Sequence, residues 1–217
     1  EPVDELPQDV DVLLATSAEA MANVETVRFE IERGGVPIYI DTTGTLEFKD
    51  ATGRFVAPQA ADAVVKVGVS GLNVQIGAIA IDGTVWLSNP ISGEWEQAPS
   101  SYAFDPTQLF DPEIGWRPLL AGELSNAAFV GREDFEGQDV YHLTGSAPSA
   151  RIETITAGLV TDQDVDLDLY LDPETGHVVE VVFDATTSAG VSTWGLRFFG
   201  YGDDIEIVPP DELDASG

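Results

Sequence analysis

Residues 26–32 read Thr-Val-Arg-Phe-Glu-Ile-Glu, so an extended chain here puts Val27, Phe29 and Ile31 on one side and Arg28, Glu30 and Glu32 on the other. Period-two alternation of apolar with charged residues predicts a strand with one buried face and one solvated face. Antiparallel sheets accept that asymmetry, whereas all-parallel sheets are covered on both sides. The period recurs at 65–69, where Val65, Val67 and Val69 alternate, and at 72–77, where Asn73, Gln75 and Gly77 interleave with Leu72, Val74 and Ile76. It returns in three longer runs at 164–171, 177–185 and 191–199.

Short connections tie these runs together. Gly34-Gly35 turns the first strand into a second one predicted from Ile38 to Phe48, followed by a short piece at 54–57. Asp82-Gly83 between Ile81 and Thr84 is a strong two-residue hairpin signal, and Glu136-Gly137 joins 128–133 to 139–144 in the same way. Strands at 85–88 and 94–97 flank an Asn-Pro loop, and Asp172-Pro173-Glu174-Thr175-Gly176 is a tight turn. A last strand is predicted at 205–208, closed by Pro209-Pro210. The pattern predicts an α+β, β-dominated chain with about ten or eleven antiparallel strands. It forms one domain over 8–210, with residues 1–7 as a tether and 211–217 as a disordered tail.

The periodicity changes in three places. Residues 9–24 carry Leu13, Leu14, Ala18 and Met21 at helical spacing, and 149–159 carry Ile152, Ile155 and Leu159. Between them, 101–120 contain two Asp-Pro pairs. Asp105 can cap a helix with Pro106 at its first position and Gln108 closing a capping box, and Asp111-Pro112 repeats the start. Pro118 must bend or restart the second piece. The apolar side chains Leu109, Phe110, Trp116, Leu119 and Leu120 are thereby spread along a curved path, either capping one end of a β-core or lining a cavity beneath a sheet.

Charge bounds the partners. Nine basic against 39 acidic residues in 217 give −30, which repels phosphate backbones and argues against nucleic acid. It also repels an anionic bilayer surface, and a solvated, acid-biased surface accounts for it without any binding role. With 43% hydrophobic residues a sizeable core is possible, yet no run approaches the ~18 apolar residues of a membrane-spanning helix. There is no cysteine, which removes disulfides and thiolate metal sites from this chain. A start at Glu1, with Met21 the sole methionine, is expected of a chain whose signal or lipidation segment has been removed.

Specific chemistry finds little support. Asp162, Asp164, Asp166 and Asp168 suggest a cation loop, but the sixth position is Leu167 and the twelfth Pro173, where an EF-hand needs Gly and Glu. His142 and His177 stand apart from each other, and no G-x-S-x-G is present. No metal and no cofactor are expected.

Five stretches in order resemble the mycobacterial LppX/LprG-type lipoproteins, whose fold is like the lipoprotein carriers LolA and LolB. These are LLATSAEAMANVETVRFEIE, AIDGTVWLSNPISGEWEQ, FDPTQLFDPEIGWRPLLAGELSNAAFVGREDFEGQDVYHLTGSAP, VDLDLYLDPETGHVVEVVFD and FGYGDDIEIVPP. The resemblance implies a half-barrel, a single curved antiparallel sheet with helices across its concave face and a hydrophobic cavity between them. It implies a monomeric, non-enzymatic carrier of acylated lipid or glycolipid in the cell envelope or periplasm. Such a carrier is held to its membrane by an N-terminal lipid anchor on a cysteine that this chain lacks. The lipid-binding wall would then comprise Leu13, Leu14 and Met21 of the first helix and the Asp-Pro side chains Leu109, Phe110, Trp116, Leu119 and Leu120. Ile152, Ile155 and Leu159 form one stripe that would either pack their helix on the sheet or act as a movable flap at the cavity mouth, and Phe29, Ile31, Phe48, Trp86 and Trp194 would come from strands. An extracytoplasmic hydrolase on the same scaffold, or an extracellular interaction module with a filled core, are the other readings.

Overall fold

The computed structural model describes residues 9–41, 43–98 and 105–213. The expected tether at 1–7, and 214–217 of the expected tail, lie outside the described residues, while 211–213 belong to a short helix, α4 (Pro210–Leu213). Helix α1 (Val10–Ala22) precedes β1 (Thr26–Gly35), β2 (Ile38–Tyr39), β3 (Glu47–Val56), β4 (Ala60–Val69), β5 (Leu72–Ile81), β6 (Thr84–Ser88) and β7 (Trp95–Gln97). A 3₁₀ turn (Pro106–Phe110), α2 (Trp116–Pro118) and a π-type turn (Leu119–Glu123) follow, then β8 (Ser125–Phe135), β9 (Gln138–Ala147) and α3 (Ser149–Ile155). The chain continues through β10 (Val165–Leu171), β11 (Val178–Thr187) and β12 (Gly190–Phe199) to α4.

All twelve strands form one open antiparallel sheet in the order β7-β6-β5-β4-β3-β1-β12-β11-β10-β9-β8, with β2 paired to β3. The sheet is built almost wholly from hairpins. The pairing of the first strand with the last places β12 beside β1, with Phe29 opposite Phe198 and Ile31 opposite Leu196. The alternation read in β1 holds: Val27, Phe29 and Ile31 are buried on the face covered by the helices. Phe29 lies opposite Gly53 of β3, where a Cβ would come within 2.3 Å of the ring. The glycine makes room for the aromatic side chain.

Three expectations need correction. The second strand does not run from Ile38 to Phe48. The Asp41 carboxylate accepts from the N–H of Thr45 (2.9 Å), the N–H of Leu46 (2.6 Å) and the hydroxyl of Thr43, so the chain turns here and β3 begins at Glu47. These bonds, the Thr43 hydroxyl first, hold the Asp41 carboxyl down at about 2. The piece predicted at 54–57 is the end of β3. Residues 205–208 form no strand, because β1 is already paired on both edges and so is β12, leaving no free edge where the chain emerges. Ile205 instead tucks into the core.

Candidate functional site

The helical pieces cover one face of the sheet, and the apolar layer between them is the candidate site. In α1 the Asp9 side chain accepts from the N–H of Asp11 (3.1 Å), and the helix buries Leu14, Ser17, Ala18 and Met21. Leu13 is only half-buried, at the edge of this face.

Both Asp-Pro pairs act as local stops and starts. Asp105 accepts from the N–H (2.9 Å) and hydroxyl (2.6 Å) of Thr107, and Pro106 opens the 3₁₀ turn. Gln108 contributes its backbone N–H to the Asp105 carbonyl (3.1 Å) in place of the predicted capping box. Asp111 accepts from the N–H groups of Glu113 (2.7 Å) and Ile114 (3.1 Å). The chain then doubles back so tightly that a Cβ on Gly115 would stand 2.3 Å from the Leu109 carbonyl oxygen. The predicted second helix over 112–121 is therefore a turn, one short helix beginning at Trp116, and the π-type turn 119–123. The breaks allow Leu109, Phe110, Trp116, Leu119 and Leu120 to face the sheet together, all buried.

Helix α3 is shorter than the periodicity suggests. Ala157 and Gly158 take positive φ, and the Thr156 hydroxyl donates to the Ile152 carbonyl (2.7 Å) while accepting from the N–H of Val160 (3.1 Å). Ile152 and Ile155 are fully buried, Leu159 is half-buried, and Val160 after it is buried in the core. Arg151 bolts this segment to its neighbour: its Nη2 donates to Glu123 (2.9 Å), its Nε donates to the same carboxylate, and its Nη1 donates to the Ile114 carbonyl (2.8 Å). The Arg151 guanidinium holds the Glu123 carboxyl below its usual range.

On the sheet side, Phe110 stacks on Phe55 (4.5 Å between centroids) and lies 6.4 Å from Phe29. Phe198 meets both Phe110 (5.9 Å) and Trp116 (5.3 Å) edge-on. Trp194 is stacked between Phe48 (5.6 Å) and Phe183 (6.1 Å). Fifteen of the sixteen side chains expected in the wall are buried or half-buried in this layer, and Trp86 is the exception. Register places Trp86 opposite Ile79, which lies opposite Asp62, and Asp62 opposite Arg54. That row is on the sheet's other face, and Trp86 lines a surface depression there with Trp95 and Pro210.

The hydrophobic cavity that the resemblance implies is closed here. The layer is packed shut: Trp116, Leu119, Leu120, Ile152, Ile155 and Trp194 are each at most 2% exposed. An apolar-lined depression of about 510 Å³ opens on the other face between Arg28, Arg54, Ile79, Trp95 and Phe199. Phe55, Phe183, Phe198 and Leu143 complete the wall and were missed. Phe198 carried a readable signal, since Trp194, Leu196 and Phe198 share one face of a strand.

Three polar atoms in the buried layer have no hydrogen-bond partner among the described residues: Ser17 Oγ, Trp116 Nε1 and Trp194 Nε1. Each unmade bond of this kind costs about 1–3 kcal/mol.

The acidic run at 162–168 does not converge. Asp164 accepts from the N–H of Ser149 (2.8 Å), Asp166 from the Ser146 hydroxyl, and Asp168 lies 2.7 Å from His142 Nε2. Glu133 lies 2.7 Å from the other nitrogen of that ring. Among the described residues no group of His, Asp or Glu is placed to hold a metal ion.

Comparison with known proteins agrees with this architecture. The family model described as LppX_LprAFG lipoprotein matches residues 9–207. The lipoarabinomannan carrier protein LprG of Mycobacterium tuberculosis and that of Mycobacterium bovis are each 24% identical over 155 residues. That match covers 70% of this chain and 64% of theirs. Among solved structures, LprF from Mycobacterium bovis superposes with a TM-score of 0.72 at 17% identity, covering 94% of this chain and 98% of LprF. LppX from Mycobacterium tuberculosis gives 0.64 at 12% identity, covering 92% and 98%. The chain belongs to the LppX_LprAFG lipoprotein family.

Proposed function

We propose that this protein is a non-enzymatic carrier that takes the acyl chains of a lipid or glycolipid between its helices and its sheet, in the cell envelope. Lipid anchoring on the N-terminal side would hold it at a membrane, as the family's description as lipoproteins suggests. The observation that carries the reading is the construction of the cover. Ten or more large apolar side chains are sealed by pieces too short to be stable alone: a single 3₁₀ turn, a three-residue helix with a π-type turn, and a seven-residue helix. They hold to the sheet through side chains rather than ladder hydrogen bonds. Lifting them exposes apolar surface, and acyl chains would cover that surface at ~0.8 kcal/mol per buried CH₂. Protein–protein contact would thus be exchanged for protein–lipid contact at small net cost, as reversible loading requires. The name of the LprG relatives is consistent with a lipid-bearing cargo.

Organic extraction and native mass spectrometry of protein purified from its own host test this. Acylated lipid bound in stoichiometric amount is the expected result. Protein that comes out lipid-free and takes up none from mixed micelles would overturn the reading and favour an interaction module with a filled core.

A further inference from the structure

The buried layer holds more than hydrocarbon. Resting on the carrier reading above, we propose that Ser17 and Trp116 form a carbonyl-binding site, so that the ligand's ester or amide linkages are drawn inside with its tails. Three observations carry this. Ser17 lies on the buried face of α1, between Leu14 and Met21, and its hydroxyl is fully enclosed without a partner. Elsewhere in these helices such hydroxyls are used locally: Thr16 donates to the Val12 carbonyl (2.8 Å) and Thr154 to the Ala150 carbonyl (3.1 Å). Ser17 does not do this. Second, α1 packs against α2, whose first residue is Trp116, 1% exposed and with its indole N–H also unpartnered. Third, neither position requires a polar atom for packing. Ala and Phe would supply apolar packing there without a buried donor, whereas an enclosed indole N–H and hydroxyl with no partner are satisfied only when an acceptor enters.

Trp194 is not part of this site. It stands four residues along β12 from Phe198, against which Trp116 packs, a rise of about 13 Å. One glycerol backbone cannot serve both indoles. The ligand class that matches Ser17 and Trp116 is a lipid with carbonyls at the root of its tails, a diacyl ester being the simplest.

A matched pair of probes isolates the carbonyl: dipalmitoylglycerol and its dihexadecyl ether analogue, which keeps the tails and removes the carbonyls. Competition against a fluorescent fatty-acyl probe gives both affinities for the full chain. The expected result is roughly tenfold tighter binding of the ester, with that preference lost in Trp116→Phe and reduced in Ser17→Ala because each variant weakens the ester more than the ether. Lipid-free Ser17→Ala should melt no lower than the parent, since no hydrogen bond is removed. Equal affinity for ester and ether in the parent, or equal weakening of both by Trp116→Phe and Ser17→Ala, overturns the carbonyl site and leaves the carrier standing. If neither probe binds, the carrier reading and the carbonyl site fall together.

Discussion

A single aromatic side chain joins the two layers. Phe110 touches Phe55, Phe29 and Phe198, so it links the Asp-Pro segment to β3, β1 and β12 at once. Truncation to Ala leaves a cavity in a site with little freedom to collapse, and Phe110→Ala should cost about 3–5 kcal/mol. Urea unfolding of the lipid-free protein would show this, and a loss under about 1 kcal/mol would mean the ring is not a joint. Arg151 is the polar counterpart, tying α3 to Glu123 and the Ile114 carbonyl. Because Glu123 titrates lower in the folded chain, its contribution is present above the ordinary carboxylate value. That contribution is lost as pH falls through the depressed one. The pair is partly exposed, so the effect is within about 1 kcal/mol. Glu123→Gln should remove the same pH-dependent part of stability below neutrality. An acid-unfolding profile identical to the parent's would show that the bolt carries no load.

At the level of elements, the cover and the sheet should differ in stability. β11 and β12 are central strands, hydrogen-bonded on both sides, whereas 149–160 is a seven-residue helix followed by a turn with two positive-φ residues. Local opening draws on regions with few ladder bonds. Hydrogen exchange should therefore find 149–160 less protected than β12 in lipid-free protein, and more protected once an acyl lipid is bound. Protection equal to the central strands without lipid would move the door to the Asp-Pro segment at 105–123. Much of this element was legible beforehand. Asp105 and Asp111 were readable as stops, since a short carboxylate before Pro both caps a start and prevents continuation. The end of α3 was not, because Leu159 sits at helical spacing from Ile155 and only the Thr156 bonds show that the chain has turned. The first half of β4 was equally obscure: its inner face carries Ala61 and Ala63, whose small side chains make a faint alternation.

For the molecule as a whole, −30 is a constant outward force on the fold. The salt bridges are few and mostly partly exposed, so they do not offset it. Screening falls within a Debye length of ~8 Å at physiological ionic strength. The melting temperature should rise between low and molar NaCl, and a flat response in a calorimetric salt series would mean that the carboxylates are spaced widely enough not to repel.

The sequence by itself determined the antiparallel sheet, its hairpins and the greasy breaks between them, because alternation and turn chemistry are local properties that survive without a partner. It also marked most of the side chains that the helical pieces contribute to the apolar layer. Tertiary structure alone decided which face each strand presented to that layer. Trp86 shows this: its run is apolar, but cross-strand register through Ile79 and Asp62 sends it to the opposite side. The pairing of β12 with β1 likewise denied residues 205–208 a sheet edge. Whether the layer is hollow or filled was beyond the sequence for the same reason, since it depends on how closely helices and sheet approach. That distance is set by packing among residues far apart in the chain.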